Sequence, residues 1–288
     1  MKCVSPFVNR EGAFGCGQCL PCKVTKRRTW AHRILLEALD VGAKNCSFCT
    51  LTYDEDAVPR SVEVRELQLW QKRLRKSCSP RRLRFFSVGE YGDQSFRPHY
   101  HSAVFGLGPC QLGGKIAGEC PCPSCSVVRS TWGLGHVLVR PLDPIRAQYI
   151  AGYVVKKMTH AQDTRLGGRN PEFARMSLKP GIGADAMHNV ASEILRYNLE
   201  DRDVPTTLQL SGKHFPLGKY LRGKLRELVG QEEKLPSPSQ VQQAYAMQLL
   251  RLYAFENSKS VKSVFRELNE PYEALLKSKQ KVYERGSL

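Results

Sequence analysis

Two histidines one residue apart, His99 and His101, stand in the run RPHYHSAVFG. In an extended strand alternate side chains share a face, so both imidazoles take one side and Tyr100 the other. Two imidazoles so placed can hold one metal ion. Glu90 lies in the strand-like run before them, LRFFSVGEYG, and the polar segment GDQSFRP turns the chain back so that a carboxylate can join the pair. Such a mixed nitrogen and oxygen set leaves positions open, which suits a divalent ion that must also bind substrate. By itself the pair reads first as two ordinary strand histidines satisfied by their neighbours. A second motif overturns that reading.

The second motif is DPIRAQYIAGYVVKKMTH, a helical pattern with Asp143 as its cap and Pro144 just inside. At about 100° per residue, Tyr149, Tyr153 and Lys156 fall within roughly 60° of one another. Ile150, Val154 and Met158 occupy a different face, expected to pack on a sheet, and Lys157 sits at the edge of the polar one. Half-buried tyrosines with snorkelling lysines would explain this helix taken alone. Beside a metal site the same residues suit phosphoryl transfer to a tyrosine. A phenol, with a pKa near ~10, attacks poorly unless its anion is stabilised. A metal polarises the phosphate and orients it for in-line attack, and Lys156 can stabilise the phenolate or the developing charge.

Eleven cysteines form two clusters and a remainder. Cys16, Cys19 and Cys22 stand in CGQCLPC with Cys3 available as a fourth thiolate, and Cys110, Cys120, Cys122 and Cys125 stand in PCQLGGKIAGECPCPSC. Four thiolates in Gly- and Pro-rich loops suit tetrahedral zinc, with iron–sulfur ligation the weaker option for the first set. The odd count and the lack of an apolar leader argue against a disulfide framework and for a reducing, cytosolic setting. Cys46, Cys49 and Cys78 read as small core residues.

The chain has 288 residues and a formal net charge of +17. Residues 231–288 carry 9 basic against 7 acidic side chains, so nearly all of the excess lies in residues 1–230. A field of that sign favours nucleic acid through phosphate neutralisation and counterion release. No stretch is long and apolar enough for a membrane span, and no basic amphipathic helix offers bulky membrane anchors, so no membrane partner is expected.

The elements that must position these residues follow from periodicity. Residues 23–40 and 61–77 read as amphipathic helices, the first with Lys26, Arg27 and Arg28 at its entry and the second with Leu67, Trp70 and Leu74 inward. Residues 46–53 read as a central strand, followed by the two strands of the opening motif and another over 136–142. This order predicts an α+β sheet with helices on one face. The cysteine segment 108–126 reads as an excursion ordered by metal, and 165–183 as a basic surface loop. Beyond these lie a helix over 184–197, a hairpin turning at Ser211 and Gly212, and the linker LPSPS. Two helices fill 240–254 and 261–284, the latter broken near Pro271. The division expected is 1–230, with the cysteine-rich N-terminal segment, and a helical extension over 231–288.

RPHYHSAVFG is similar to the His-hydrophobic-His motif of HUH endonucleases, CSFCTLTYDE to their first motif and YIAGYVVKK to their two-tyrosine motif. Together with GCGQC, GEYG and MSLKPGIG, they resemble most closely the replication initiators of the Microviridae, small single-stranded DNA phages, especially the gokushovirus branch. The resemblance covers roughly residues 15–220. It implies a ferredoxin-like antiparallel core sheet and a Mg²⁺ or Mn²⁺ ion held by His99, His101 and Glu90. It also implies origin nicking through a 5′-phosphotyrosine to start rolling-circle replication, with Tyr149 and Tyr153 alternating. The partners implied are the single-stranded DNA origin, replicative-form DNA and, since no Walker P-loop is present, a host helicase with the host polymerase, in the cytoplasm of the bacterial host. The competing readings are a non-catalytic, zinc-stabilised single-stranded nucleic-acid-binding protein whose tyrosines stack on bases, and a plasmid initiator, relaxase or transposase.

Overall fold

The computed structural model of the chain describes all residues but 1, 11, 93, 114–119, 156–161, 211, 232–237 and 286–288; for 238–243 and 280–285 it describes the backbone alone. A small hairpin, β1 (Phe7–Asn9) and β2 (Gly12–Phe14), precedes α1 (Leu20–Val41). Then come β3 (Cys46–Leu51), α2 (Val64–Ser77), β4 (Arg84–Tyr91), β5 (Pro98–Phe105), α3 (Pro123–Trp132), β6 (Val137–Pro141) and α4 (Pro144–Gly152). The rest is β7 (Phe173–Met176), α5 (Met187–Arg196), the hairpin β8 (Thr207–Leu210) and β9 (Lys213–Pro216), α6 (Gly218–Leu228), α7 (Pro238–Glu256) and α8 (Val261–Arg285).

Five strands form one sheet in the order β6-β3-β5-β4-β7, with every neighbouring pair antiparallel. Helix α2 connects β3 to β4 and α3 connects β5 to β6, so two strand-helix-strand units interleave around a central hairpin. The expected strands are in place and the class is α+β.

Helices cover both faces of the sheet, which corrects the expectation of one covered face. Along β4, Phe85 and Tyr91 pack with Trp70, Leu74 and Trp132 of α2 and α3. Phe86 and Val88 point the other way, onto Ile34 and Leu35 of α1 and Ile150 of α4. Adjacent phenylalanines on a strand face opposite sides, and each buried ring stabilises the fold by about 1.5–3 kcal/mol. A sheet covered on one side would leave one of them in water. All eight residues of β4 are accordingly buried, the pattern of a strand enclosed on both faces.

Three further differences have local causes. The expected loop over 165–183 contains β7, which pairs with β4 from Phe86↔Met176 to Gly89↔Phe173. At Gly89 an added side chain would lie 2.7 Å from the Phe173 ring, so glycine permits that edge strand to close in. The second cysteine segment runs into α3, whose N-cap is Cys122 with Pro123 inside the first turn. Helix α8 continues through Pro271. The C-terminal helices pack back on the beginning of the chain: Arg251 donates to the carbonyls of Asn9 (3.0 Å) and Arg10 (3.3 Å), and the Lys2 ammonium lies over the Tyr272 ring. None of the described helices is long and apolar enough to cross a membrane.

Candidate active site

The face of the sheet beneath α1 and α4 carries the histidines. Strand register sets Glu90 directly opposite His99, and His101 opposite Thr50 of β3 on its other flank. Glu90, His99 and His101 offer ligand atoms that all lie within 4.8 Å of one another. Glu90 Oε1 is 3.0 Å from His99 Nε2 and 2.9 Å from His101 Nε2, and the carboxylate is almost fully buried. Tyr100, between the histidines, points to the other face, where its hydroxyl lies 2.9 Å from that of Tyr53 and accepts from the Glu63 N–H.

The outer nitrogens of the histidines are also held. Nδ1 of His99 is 3.2 Å from the Arg97 carbonyl, and Nδ1 of His101 is 3.0 Å from Thr50 Oγ1. The Arg97 carbonyl can only accept, so it fixes His99 with its proton on Nδ1 and its Nε2 lone pair toward Glu90. Two acceptors then face each other, a lone pair and a carboxylate. A divalent cation between them resolves that surplus, so the residues present fit a metal ion.

Asp143 caps α4 as expected, accepting from the Arg146 N–H at 2.7 Å, with Pro144 in the first turn. The helix is shorter than its periodicity suggests: it ends at Gly152, and Tyr153–Val155 form a 3₁₀ turn. That tightening stacks Tyr153 on His101, with centroids 5.9 Å apart and planes at 28°. Tyr149 meets His101 edge-on at 5.2 Å and brings its hydroxyl 3.4 Å from His101 Nε2. Ring centroids of the two tyrosines are 5.1 Å apart. Their environments differ. Tyr149 is 45% exposed, whereas burial, reinforced by the charge of Glu90 and the hydrogen bond with Tyr149, pushes the Tyr153 phenol well above its ordinary range. Lys156, placed with them by helical phase, and Lys157 and Met158 lie outside the described residues.

Both cysteine sets converge. Cys3 joins Cys16, Cys19 and Cys22, while Cys110 joins Cys120, Cys122 and Cys125, each group with its sulfurs within 4.8 Å. All of these thiols are free. A tetrahedron with Zn–S near ~2.3 Å has sulfur–sulfur edges of about 3.8 Å. The Cys3–Cys19 separation is 3.8 Å and Cys110–Cys120 is 3.4 Å, so the donor sets fit zinc. Each has a Cys-x-x-Cys at a helix start, with Cys19 capping α1 and Cys122 capping α3. For Cys122 burial acts upward, but N–H bonds from Cys125 and Gln111 and neighbouring thiols outweigh it and lower its pKa to about 6. Cys16 is lowered to about 7, because N–H bonds from Cys19 and Gln18 and thiol contacts exceed the upward effect of burial. Burial first, then crowding by the other sulfurs, pushes Cys22 up to about 12. Cys46 and Cys49 are core residues as expected, and Cys78 packs partly buried against the core.

Sequence reasoning missed Thr50 and Phe48. Phe48 stacks on His101 at 5.3 Å and meets Tyr149 edge-on, walling the site. Both stand in CSFCTLTY, but only the register between β3 and β5 brings them to His101.

An antiparallel α+β sheet with a two-histidine, one-carboxylate pocket faced by two tyrosines defines the class of the protein. Residues 46–160 match the family described as Replication-associated protein ORF2, a span from the first residue of β3 past both tyrosines. The chain is 25% identical over 230 residues to Replication-associated protein ORF4 of Chlamydia phage 1, covering 76% of this chain and 55% of the relative. It is 28% identical over 167 residues to Replication-associated protein VP4 of Bdellovibrio phage phiMH2K, covering 52% of this chain and 50% of the relative. It thus spans about half the length of these curated relatives. No solved structure matches significantly. The chain belongs to this family of replication-associated proteins, and the resemblance to Microviridae initiators read from its motifs is borne out.

Proposed function

We propose that the protein is a metal-dependent, single-strand-specific DNA endonuclease and ligase that nicks the phage origin and so initiates rolling-circle replication. The observation that carries this reading is the Tyr149 hydroxyl, exposed and 3.4 Å from a nitrogen of the three-ligand pocket. Glu90, His99 and His101 would hold a Mg²⁺ or Mn²⁺ ion, which when bound supplies charge neutralisation and orientation of the scissile phosphate. Thr50 and the Arg97 carbonyl aim the two imidazoles. Phe48 and the tyrosine rings exclude water from one side of the pocket. The Tyr149 oxygen, after losing its proton, forms a bond to phosphorus, and the P–O3′ bond breaks with its electron pair going to the 3′ oxygen, which takes up a proton. The products are a 5′-phosphotyrosyl protein and a free 3′-hydroxyl. Because the new ester conserves the phosphodiester, a 3′-hydroxyl can reverse the step without a nucleotide cofactor. Tyr153, adjacent to Tyr149, is the acceptor for the second cut. Lys156, three residues further on in sequence, is assigned to the charge on phosphate or phenolate.

The strand order β6-β3-β5-β4, with both crossovers helical, supports a ferredoxin-like core of the HUH type. The two four-cysteine groups support structural zinc. We assign nuclease function to residues 1–230 and a packing role to 231–288, with single-stranded origin and replicative-form DNA as substrates. The host helicase and polymerase are the partners, and the bacterial cytoplasm is the setting.

The test is incubation with circular single-stranded phage genome and Mn²⁺, followed by denaturing gels. A covalent protein–DNA adduct that is lost on chelation and in the Tyr149→Phe/Tyr153→Phe double variant is expected. DNA binding without an adduct under any divalent metal would support the binding-protein reading instead.

A further inference from the structure

At the end of β4 remote from Glu90 lies a second concave site, which the reaction above does not use. It is an open cleft of about 420 Å³ between the end of α2, the turn entering β4 and the segment after β7. Arg75, Arg81, Arg82 and Lys179 line it, all exposed. Among the described residues none of these four makes an ion pair with a carboxylate. Arg84 at its floor is different: its guanidinium is buried and paired with Glu37.

The cleft is built rather than incidental. Arg75 is aimed by its guanidinium over the Phe85 ring, 4.6 Å from the centroid, and by donating to the Leu83 carbonyl at 3.4 Å. The opposite wall, the segment resembling a recurrent family motif at MSLKPGIG, is fastened at nearly every residue. Ser177 exchanges hydrogen bonds with the Phe85 backbone at 2.9 and 3.1 Å. Arg84 holds the Pro180 carbonyl at 2.8 Å and Tyr220 receives the Gly181 N–H at 2.7 Å. Arg33 holds the Ile182 carbonyl at 2.9 Å, and Glu37 receives the Gly183 N–H at 2.6 Å. At Gly183, with φ +79°, a side chain would lie 2.8 Å from the Arg33 carbonyl, so only glycine completes this path. What remains free is the tip, Leu178 and Lys179, projecting beside Arg81 and Arg82.

We propose that this cleft is a second nucleic-acid contact, binding phosphates of the DNA strand outside the step that is cut. The inference rests on the reading of the protein as acting on DNA. Four unpaired cations at an open mouth match a polyanion passing through, and no aromatic ring is exposed there to stack a base, so the contact is with the backbone. Six strand residues separate Arg84 from Glu90, about 20 Å at ~3.3 Å per residue, or about six steps of a B-form strand at ~3.4 Å. Strand β7 runs between the two ends along the edge of the sheet, with Arg175 exposed on it.

The test compares the full chain with its Arg81→Ala/Arg82→Ala/Lys179→Ala variant. Binding to a long single-stranded oligonucleotide should weaken on the order of 10-fold, with the slope of log affinity against log salt reduced by about 2. Metal-dependent cleavage of a short oligonucleotide limited to the cut site should keep its kcat. Unchanged affinity and slope on the long strand would overturn the cleft while leaving the nuclease reading intact. A wild-type chain that binds no DNA overturns both, and one that binds but does not cut overturns only the nuclease. Competition by inorganic phosphate beyond its ionic strength would mark a small-anion site and overturn the strand contact. The single variant Lys179→Glu, with an unchanged melting midpoint, repeats the test where the triple variant folds poorly.

Discussion

Tyr149 and His101 come from elements 48 residues apart in sequence, yet the phenol oxygen lies 3.4 Å from the imidazole Nε2. Two independent constraints produce that approach. The alternation of β5 puts His101 on the face that Ala103 and Phe105 bury, and the Asp143 cap starts α4 in the phase that sets Ile150 on that same face and Tyr149 at its rim. The nucleophile is therefore placed by two ordinary packing decisions, and no strained backbone is needed to bring it there.

The two tyrosines are predicted to act in a fixed order. Tyr149 is exposed, whereas Tyr153 is partly buried behind it with its phenol raised by burial and by Glu90. Tyr149→Phe should abolish the first adduct on intact circular DNA. Tyr153→Phe should leave it in place and block release of circularised product. Adduct gels and two-dimensional product analysis separate these steps, and a first adduct that survives Tyr149→Phe would reverse the assignment.

Thr50 holds His101 from its outer nitrogen and touches neither DNA nor metal itself. Removing such an outer partner of a metal ligand typically costs 10–100-fold in affinity or activity. Thr50→Val should raise the Mn²⁺ concentration needed for half-maximal nicking by about that factor, with near wild-type cleavage at saturating metal. Loss of cleavage that excess metal does not restore would mean that Thr50 acts in another way.

Much of this site is legible in the sequence because its signals are local. The His-x-His alternation, the Asp143–Pro144 helix start and the cysteine spacings each occupy a few residues and answer to short-range geometry. Glu90 was reachable because a hairpin joins it to the histidines. Thr50 and Phe48 were not, since their role depends on the pairing of β3 with β5, which no short pattern encodes. Four residues, FARM, are too few to display a period, so β7 was read as loop. The two covered faces were written in Phe85 and Phe86 as adjacent rings, but a buried run can be read as one face or two until the helices are placed. The switch to a 3₁₀ turn at Tyr153 is likewise a product of tertiary packing, because Gly152 sits against the Arg27 side chain of α1, which donates to the Gln148 carbonyl.

Zinc analysis of the purified chain should find two ions per molecule. Cys122→Ser and Cys16→Ser should each lower that number by one without affecting the other site, because the two groups cap different helices. Loss of the second site should be the more destabilising, since its four cysteines belong to the core beneath α2 and α3. Atomic absorption and thermal melting check both statements. Zinc no higher than background would return these thiols to packing or redox roles.

The buried pair Glu37–Arg84 carries the last prediction. Glu37 is 1% exposed and Arg84 6%, and between them they also hold the Gly183 N–H and the Pro180 carbonyl. Removing one member of such a pair leaves an uncompensated charge in the interior, at a cost of about 3–5 kcal/mol. Glu37→Gln keeps the shape and a hydrogen-bonding group but removes the charge, so it should destabilise by about 3 kcal/mol in urea unfolding. Pairing it with Arg84→Met should recover much of that loss, because the stranded charge is then gone. The recovered double variant should nevertheless lose the fastening at Pro180, and limited proteolysis should cut the 177–183 segment faster than in the wild type. Stability and the order of the loop are thus separable: the first answers to charge balance and the second to the hydrogen bonds that only arginine supplies here. Equal proteolysis of the double variant and the wild type would show that Tyr220 and Arg33 suffice to hold the segment.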